Sequence, residues 1–387
     1  VRKVLLAALI VLRALPAGAL SFGLGAGAAR AAKKTVEKAA AAKGCSLTSV
    51  GTTVFTTSPI SPAYIKYIEP LGHFSPPGHT LPTGHIYFYY VDPSDPDPSK
   101  FNVNYNIYAA ADGYITGIYY YQEGASLQYK LSFAHTATFS SYYDHVGSLD
   151  ASIAALAGPL PFGWNNVCIP VTAGQLLGTT GGWHQMAVDF GVLNLSVTQP
   201  FIDGSHYGGS ANADAPLKYY QAPLQTTLYG LVTRQTPDYA GSNSKDGVMC
   251  YDVANTVQGG WIAQGAPSDW MGPAAWDQQL TIAYGNVYSS AIHIVFGGKH
   301  GAQAFGAFGE WMVHAGAQAP ANITVASGAY GYQLWHWDPN NGNRSGAASF
   351  GLFMVQLLDN RTLKAQYFPG STNAFEPFDG NAKIFTR

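Results

Sequence analysis

Gly84-His85-Ile86-Tyr87-Phe88-Tyr89-Tyr90-Val91 is the stretch from which the rest of this chain can be placed. Its aromatic and β-branched side chains suit a pleated, half-buried surface, so it reads as a strand. It ends in Asp92-Pro93-Ser94-Asp95-Pro96-Asp97-Pro98-Ser99, where three prolines and the lack of a spaced glycine favour a solvated turn over a calcium loop. Working outward, Asn104 to Ala109, Gly113 to Tyr121, Leu127 to Phe133 and Thr138 to Tyr143 are short β runs divided by Gly, Asp or polar clusters. Ala151 to Leu156 is the one brief helix expected here, and a turn-rich segment from Val171 to Gly182 leads to a strand carrying Asp189. Thr281 to Tyr284, Ile292 to Phe296, Ala329 to Trp337 and Ser349 to Leu358 continue the pattern. The predicted fold class is all-β: an antiparallel barrel or sandwich followed by a second β-rich domain.

Composition agrees with that reading. The 387 residues exceed one ordinary domain, and only 11% are charged against 47% hydrophobic, with 44 Gly, 23 Pro and 25 Tyr. A net charge of -2 offers no basic surface on which phosphates could gather, which argues against nucleic acid as a partner. Residues 1–32 read as a signal peptide: Arg2 and Lys3, an apolar run from Val4 to Leu12, then small residues through Ala32. A permanent anchor using Ala14 to Ala28 is the alternative, although Arg13 interrupts the run. Residues 33–49 form a linker, 50–205 the first β domain, and 206–387 a Trp-rich β domain with the boundary in the Gly-rich segment near Gly208. Cys45, Cys168 and Cys250 leave at least one thiol unpaired; a Cys168–Cys250 bridge and buried free thiols both remain open.

Four motifs in the first domain carry chemistry. They are Gly78-His79 with Gly84-His85-Ile86, then Ala110-Ala111-Asp112-Gly113, then Tyr143-Asp144-His145-Val146, and finally Ala187-Val188-Asp189-Phe190-Gly191. In that order they resemble the lysostaphin-type zinc peptidases, which cut peptide cross-links in bacterial cell walls. The resemblance covers residues 50–200, and it implies a zinc ion held by three side chains with an open position for water. His85 falls where that family has its aspartate ligand, and Asp189 falls where it has a histidine, so the swap keeps ligand number and type. His79 would be the third ligand, six residues before His85 rather than the family's four. His145 would be the assisting catalytic histidine. Ala187 stands where the family has a second assisting histidine, a departure that favours metal binding over efficient proteolysis. The plainer alternative is that these are ordinary partly buried histidines; His73, His135 and His184 are read in that way.

In the second domain, Gly259-Gly260-Trp261 resembles the Gly-x-Trp of lipocalin-like barrels. Six of the eight tryptophans lie here, and core packing is the expectation for most of them. Trp335 and Trp337, flanking His336, share a strand face and are the candidate exposed platform. The functional expectation is an exported protein, secreted or in the cell envelope or periplasm, with a divergent zinc-peptidase-like domain that binds metal and is weakly or not proteolytic towards cell-wall peptides. If active, it would be a metal-dependent endopeptidase or amide hydrolase. The alternatives are a non-enzymatic binder of cell-wall peptide or glycan, and a self-assembling extracellular structural subunit.

Overall fold

The computed structural model describes residues 45, 47–76, 78–91, 103–181, 186–232, 245–266, 273–286, 290–297, 305, 309–314, 316–338, 343–345 and 349–387. Residues 1–32, expected to be a signal peptide, residues 92–99, expected to form a turn, and His184 lie outside them. Among the described residues no helix is long and apolar enough to cross a membrane.

The fold is all-β, as the alternation of side chains predicts. The first sheet takes β1 (Tyr67–Glu69), β2 (His85–Tyr89), β3 (Asn106–Tyr108), β4 (Gly113–Glu123), β5 (Ser126–Thr136), β6 (Phe139–Leu149), β7 (Gly163–Val171), β8 (Leu176–Thr180), β9 (Ala187–Asn194) and β10 (Ala213–Asp214). Its main path is β1-β2-β9-β6-β5-β4-β7, with β10 on β9 and β8 joining β6 to β3. The brief helix α1 (Ala151–Ala157) starts on an Asp150 cap that accepts from the Ser152 amide. One face of the sheet supplies the core through Ile86, Phe88, Val188, Phe190, Tyr143, Leu131 and Ile118. With a side-chain period of two, the intervening residues are thrown onto the other face.

The second sheet takes β11 (Gly259–Ala263), β12 (Gln279–Tyr284), β13 (Ile292–Phe296), β14 (Gly309–Val313), β15 (Ala329–Asp338), β16 (Asn343–Ser345), β17 (Gly351–Asp359), β18 (Thr362–Pro369) and β19 (Lys383–Thr386). β16 pairs only with β15, which has three antiparallel neighbours; every other strand of the sheet has two, and the β14–β15 and β11–β19 pairings close an up-and-down barrel. Closure removes the unpaired edges that an open sheet leaves. Aromatic side chains fill the barrel: Phe296 packs against Trp311, Phe353 and Tyr367 at centroid separations of 4.7, 5.0 and 5.5 Å. Buried Trp261 lies beneath the Arg387 guanidinium, 4.0 Å from its ring, and Arg387 also donates to the carbonyls of Val253, Thr256 and Gln258.

Several expectations resolve here. Cys45 bonds to Cys168, and Cys250 is the free thiol, so the Cys168–Cys250 alternative is corrected. Spacing along a chain cannot choose between cysteines; folding brings Cys45 and Cys168 to a Cα separation of 5.7 Å. Trp261 and Trp311 are core residues, Trp335 is partly buried, and the side chain of Trp337 lies outside the described set. The first hydrophobic core takes in Ala215, Leu217, Tyr220, Leu228 and Val232, downstream of residue 205.

Candidate functional site

The polar face of the first sheet gathers the chemistry. On β2 the face carries His85, Tyr87 and Tyr89; on β9, directly opposite, it carries Gly191, Asp189 and Ala187. Tyr142 and Asp144 of β6 face Gly191 and Asp189 in turn. Lys130 of β5 pairs with Tyr119 of β4, and Gln128 with Tyr121, which extends the face by two more strands. The result is a tyrosine-lined surface with its ionisable groups in the middle.

Asp189 is the hub. Its Oδ2 lies 3.1 Å from His85 Nε2 and 3.5 Å from His145 Nε2. The carboxylate is buried, and desolvation raises its pKa to about 6 although the His145 charge opposes the shift. His85 Nε2 is buried with no hydrogen-bond partner, so the 3.1 Å approach to Asp189 lacks hydrogen-bond geometry. Its Nδ1 lies 3.1 Å from the Tyr142 hydroxyl. Burial, helped by the neighbouring His79 and Lys130, holds the His85 pKa well below its ordinary value, so this imidazole is neutral.

His145 reaches Asp189 through an unusual backbone. Strand β6 pairs with β9 as far as Asp144, then with β8 from Val146 onward. His145 sits at that change of partner with φ 64, in the left-handed region that non-glycine residues seldom occupy. Such a conformation costs on the order of 1–3 kcal/mol and persists where its surroundings enforce it. Here the Asp144 carboxylate accepts from the His145 amide at 3.0 Å, and Gln128 Oε1 lies 2.6 Å from Nδ1. Burial pulls the His145 pKa down, but Asp189, Asp144 and Glu123 together more than offset it, and the net shift is upward.

Sequence reasoning did not single out the rest of the network. Lys130 bonds Asp144 at 2.9 Å, lies 4.2 Å from the centre of the Tyr142 ring, and Tyr121 donates to Asp144 at 2.7 Å. A lysine alternating with apolar residues on a predicted strand marks only the solvent-side face, so no local signal distinguishes Lys130 from a surface charge. Gly191 makes room for this arrangement: a Cβ there would sit 2.2 Å from the Tyr142 ring.

His79 stands at the rim, its ring edge-on to His85 with centroids 5.3 Å apart. Burial, then the nearby His73 charge, lowers its pKa to about 3. His73 lies at the same rim, 5.3 Å from the Tyr87 ring, with Nδ1 2.5 Å from Glu69 Oε1. His135 is remote from Asp189's partners; it contacts the Asp112 carbonyl at 2.7 Å and Ser141 Oγ at 2.8 Å. Asp112 itself accepts from the Ala173 amide in the turn before β4.

The donor set can be tested for a cation. Two neutral or anionic donors, His85 Nε2 and Asp189 Oδ2, approach without a hydrogen bond between them, as two ligands of one ion do. Yet among the described residues no three His, Cys, Asp or Glu side chains form a group that could hold a metal ion. Two donors therefore fit, and the third position is not completed in this geometry.

No known family profile matches the chain, and no curated protein sequence does. Among solved structures, it is similar to a zinc-containing peptidase from Vibrio cholerae, at 16% identity and TM-score 0.24 over 37% of each chain. It is also similar to lysostaphin, at 12% identity and TM-score 0.26, over 87% of this chain and 92% of that one. The chain thus spans well under half of the Vibrio cholerae peptidase. Agreement at this level establishes no common function.

Proposed function

We propose that this is an exported protein whose first domain is a peptidase-like groove that binds cell-wall peptide and cuts it weakly or not at all. The observation that supports this reading is the buried His85 Nε2, unbonded and 3.1 Å from Asp189 Oδ2 beneath a tyrosine-lined face. In this reading His85, Asp189 and His79 are the metal donors, with His79 turning in from the rim. A bound zinc ion would supply Lewis acidity towards a peptide carbonyl or water. His145, raised in pKa and held at Nδ1 by Gln128, presents Nε2 as the donor for charge developing on an oxyanion. Lys130 is engaged by Asp144, so its charge is largely neutralised within the site. The tyrosines offer flat, amphipathic surfaces to an extended peptide.

The second reading is a non-enzymatic peptide or glycan binder. It is favoured by Ala187, which stands where an assisting histidine is expected, and by the incomplete donor set. One experiment separates the two: metal analysis of the purified protein and of His85→Ala, with cleavage of cross-linked wall peptide assayed with and without chelator. The peptidase-like reading expects stoichiometric zinc in the unaltered protein, lost in His85→Ala, with slow chelator-sensitive cleavage at most. Wall-peptide or glycan binding that is indifferent to chelator, with no zinc in either protein, would establish the second reading instead.

A further inference from the structure

The segment between β1 and β2 carries both rim histidines, and its two sides face different domains. It folds back on itself: the Ser75 and His79 amides exchange hydrogen bonds with each other's carbonyls at 2.9 and 3.0 Å, and Thr83 N donates to His73 O at 3.2 Å. His73 and His79 point to the polar face of the first sheet, against Tyr87 and His85. Phe74 and Leu81 point the other way. Phe74 packs with Tyr251, Ala283 and Val295, and Leu81 packs with Met249 and Ile262.

Three backbone carbonyls of the segment are engaged by side chains from the second half of the chain. Thr281 Oγ1 donates to Thr80 O at 2.7 Å, Tyr251 OH to Gly72 O at 3.2 Å, and Asn286 Nδ2 to Pro70 O at 3.3 Å. Val248 N adds a backbone bond to Leu71 O at 3.3 Å. At Gly72, with φ 85, a Cβ would fall 1.9 Å from Val248 O, so the two backbones meet where only glycine fits. Thr80 and Thr281 are both fully buried, so the bond between them is shielded from water.

We infer that the second domain is the backing of the histidine loop, with Thr281, Tyr251 and Asn286 acting as positioning residues that hold His73 and His79 over the groove of the first. The barrel's outer wall, rather than its filled interior, is the surface with a role at this site. Thr281 is the nearest lever: it bonds the carbonyl of the residue that follows His79. The inference rests on the location of the proposed groove but not on any metal bound there.

The test is hydrogen exchange on the full chain, comparing the unaltered protein with Thr281→Val, Thr281→Ser and the barrel-core control Phe385→Leu. Loss of this buried bond is expected to speed exchange of the His79 and Thr83 amides about tenfold or more. Amides of β5 and β18 should stay within about twofold, and Thr281→Ser should restore the loop. Phe385→Leu should raise barrel amides without a selective effect on the loop. Loop exchange unchanged in Thr281→Val, or raised by the same factor as β5 and β18, would overturn the inference. Zinc titration of the same proteins keeps the two ideas apart: an unaltered protein that takes no zinc sinks the metal reading and leaves the exchange result standing.

Discussion

His145 and Ala187 together set what the site can do at the scale of single residues. His145 is held in a left-handed conformation and aimed at Asp189, while Ala187 is buried opposite Tyr89 with no polar atom to offer. On the peptidase-like reading proposed above, Ala187→His is expected to raise wall-peptide cleavage by roughly 100- to 1000-fold at most, the usual worth of a preorganised donor. That gain should vanish in a His145→Ala background if both groups act on one oxyanion, since residues acting as a unit are strongly non-additive. Initial rates on cross-linked peptide check both outcomes. Titration gives a second residue-scale prediction. His79, His85 and His135 all have lowered pKa values, with burial the leading cause in each. The unfolded chain therefore binds more protons, so stability present above about pH 6.5 is lost as pH falls towards the folded values. Asp189 opposes this, because its raised pKa contributes stability below about pH 4 that is lost as pH rises through about 6. His145, also raised, contributes stability that is full below about pH 6.5 and is lost as pH rises, so its share hardly changes at lower pH. Three lowered imidazoles against the raised carboxyls of Asp189 and Asp252 leave urea midpoints expected to fall from about pH 6.5 to pH 4. A midpoint that rises over that range would contradict the assignment.

At the scale of elements, the change of partner along β6 is the feature that shapes the site. Strand β6 leaves β9 after Asp144 and continues on β8, and Gly178 of β8 lies tight against Ser148. A Cβ at Gly178 would stand 1.8 Å from the Ser148 carbonyl oxygen, a backbone atom that cannot swing aside. Gly178→Ala is expected to destabilise the protein by about 3 kcal/mol, the upper range for overpacking, and to displace His145 with the strand. Denaturant unfolding measures the first effect, and the histidine NMR resonances report the second. Unfolding midpoints equal to those of the unaltered protein would show that β8 shifts freely against β6.

At the scale of the whole molecule, two connections tie distant parts of the chain together. One is the loop between β1 and β2, engaged by both domains. The other is the Cys45–Cys168 disulfide, which spans a sequence separation of 123 and fastens the start of the described chain to β7. Closing so long a loop restricts the unfolded ensemble, so the paired substitution Cys45→Ala with Cys168→Ala is expected to lower stability by about 2–5 kcal/mol. Reductant should lower the unaltered protein to the same level and leave the double variant unmoved. A reductant effect that persists in the double variant would place the sensitive thiol at Cys250 instead.

The sequence by itself determined many of the strands and, along their regular stretches, the face on which a side chain lies. His85-Ile86-Tyr87-Phe88-Tyr89 and Val188-Asp189-Phe190 each alternate, and alternation is local: a pleated backbone puts neighbours on opposite sides whatever strand lies alongside. That was enough to foresee an all-β fold, while the resemblance of four motifs to the lysostaphin-type peptidases named His79, His85, His145 and Asp189 as candidates. Tertiary structure decided which of them meet and how. Asp189 faces His85 and His145 because β9 runs between β2 and β6, an order set by long-range pairing rather than by any short stretch. His145 turns inward only because β6 changes partners at that residue, and Lys130 becomes a site residue only because β5 lies next to β6. The role of Thr281 was illegible in sequence for the same reason: its partner, Thr80, is 201 residues away, brought close by the packing of two independent cores. Local chemistry fixes which way a side chain points, but the summed burial of many distant residues fixes what it points at.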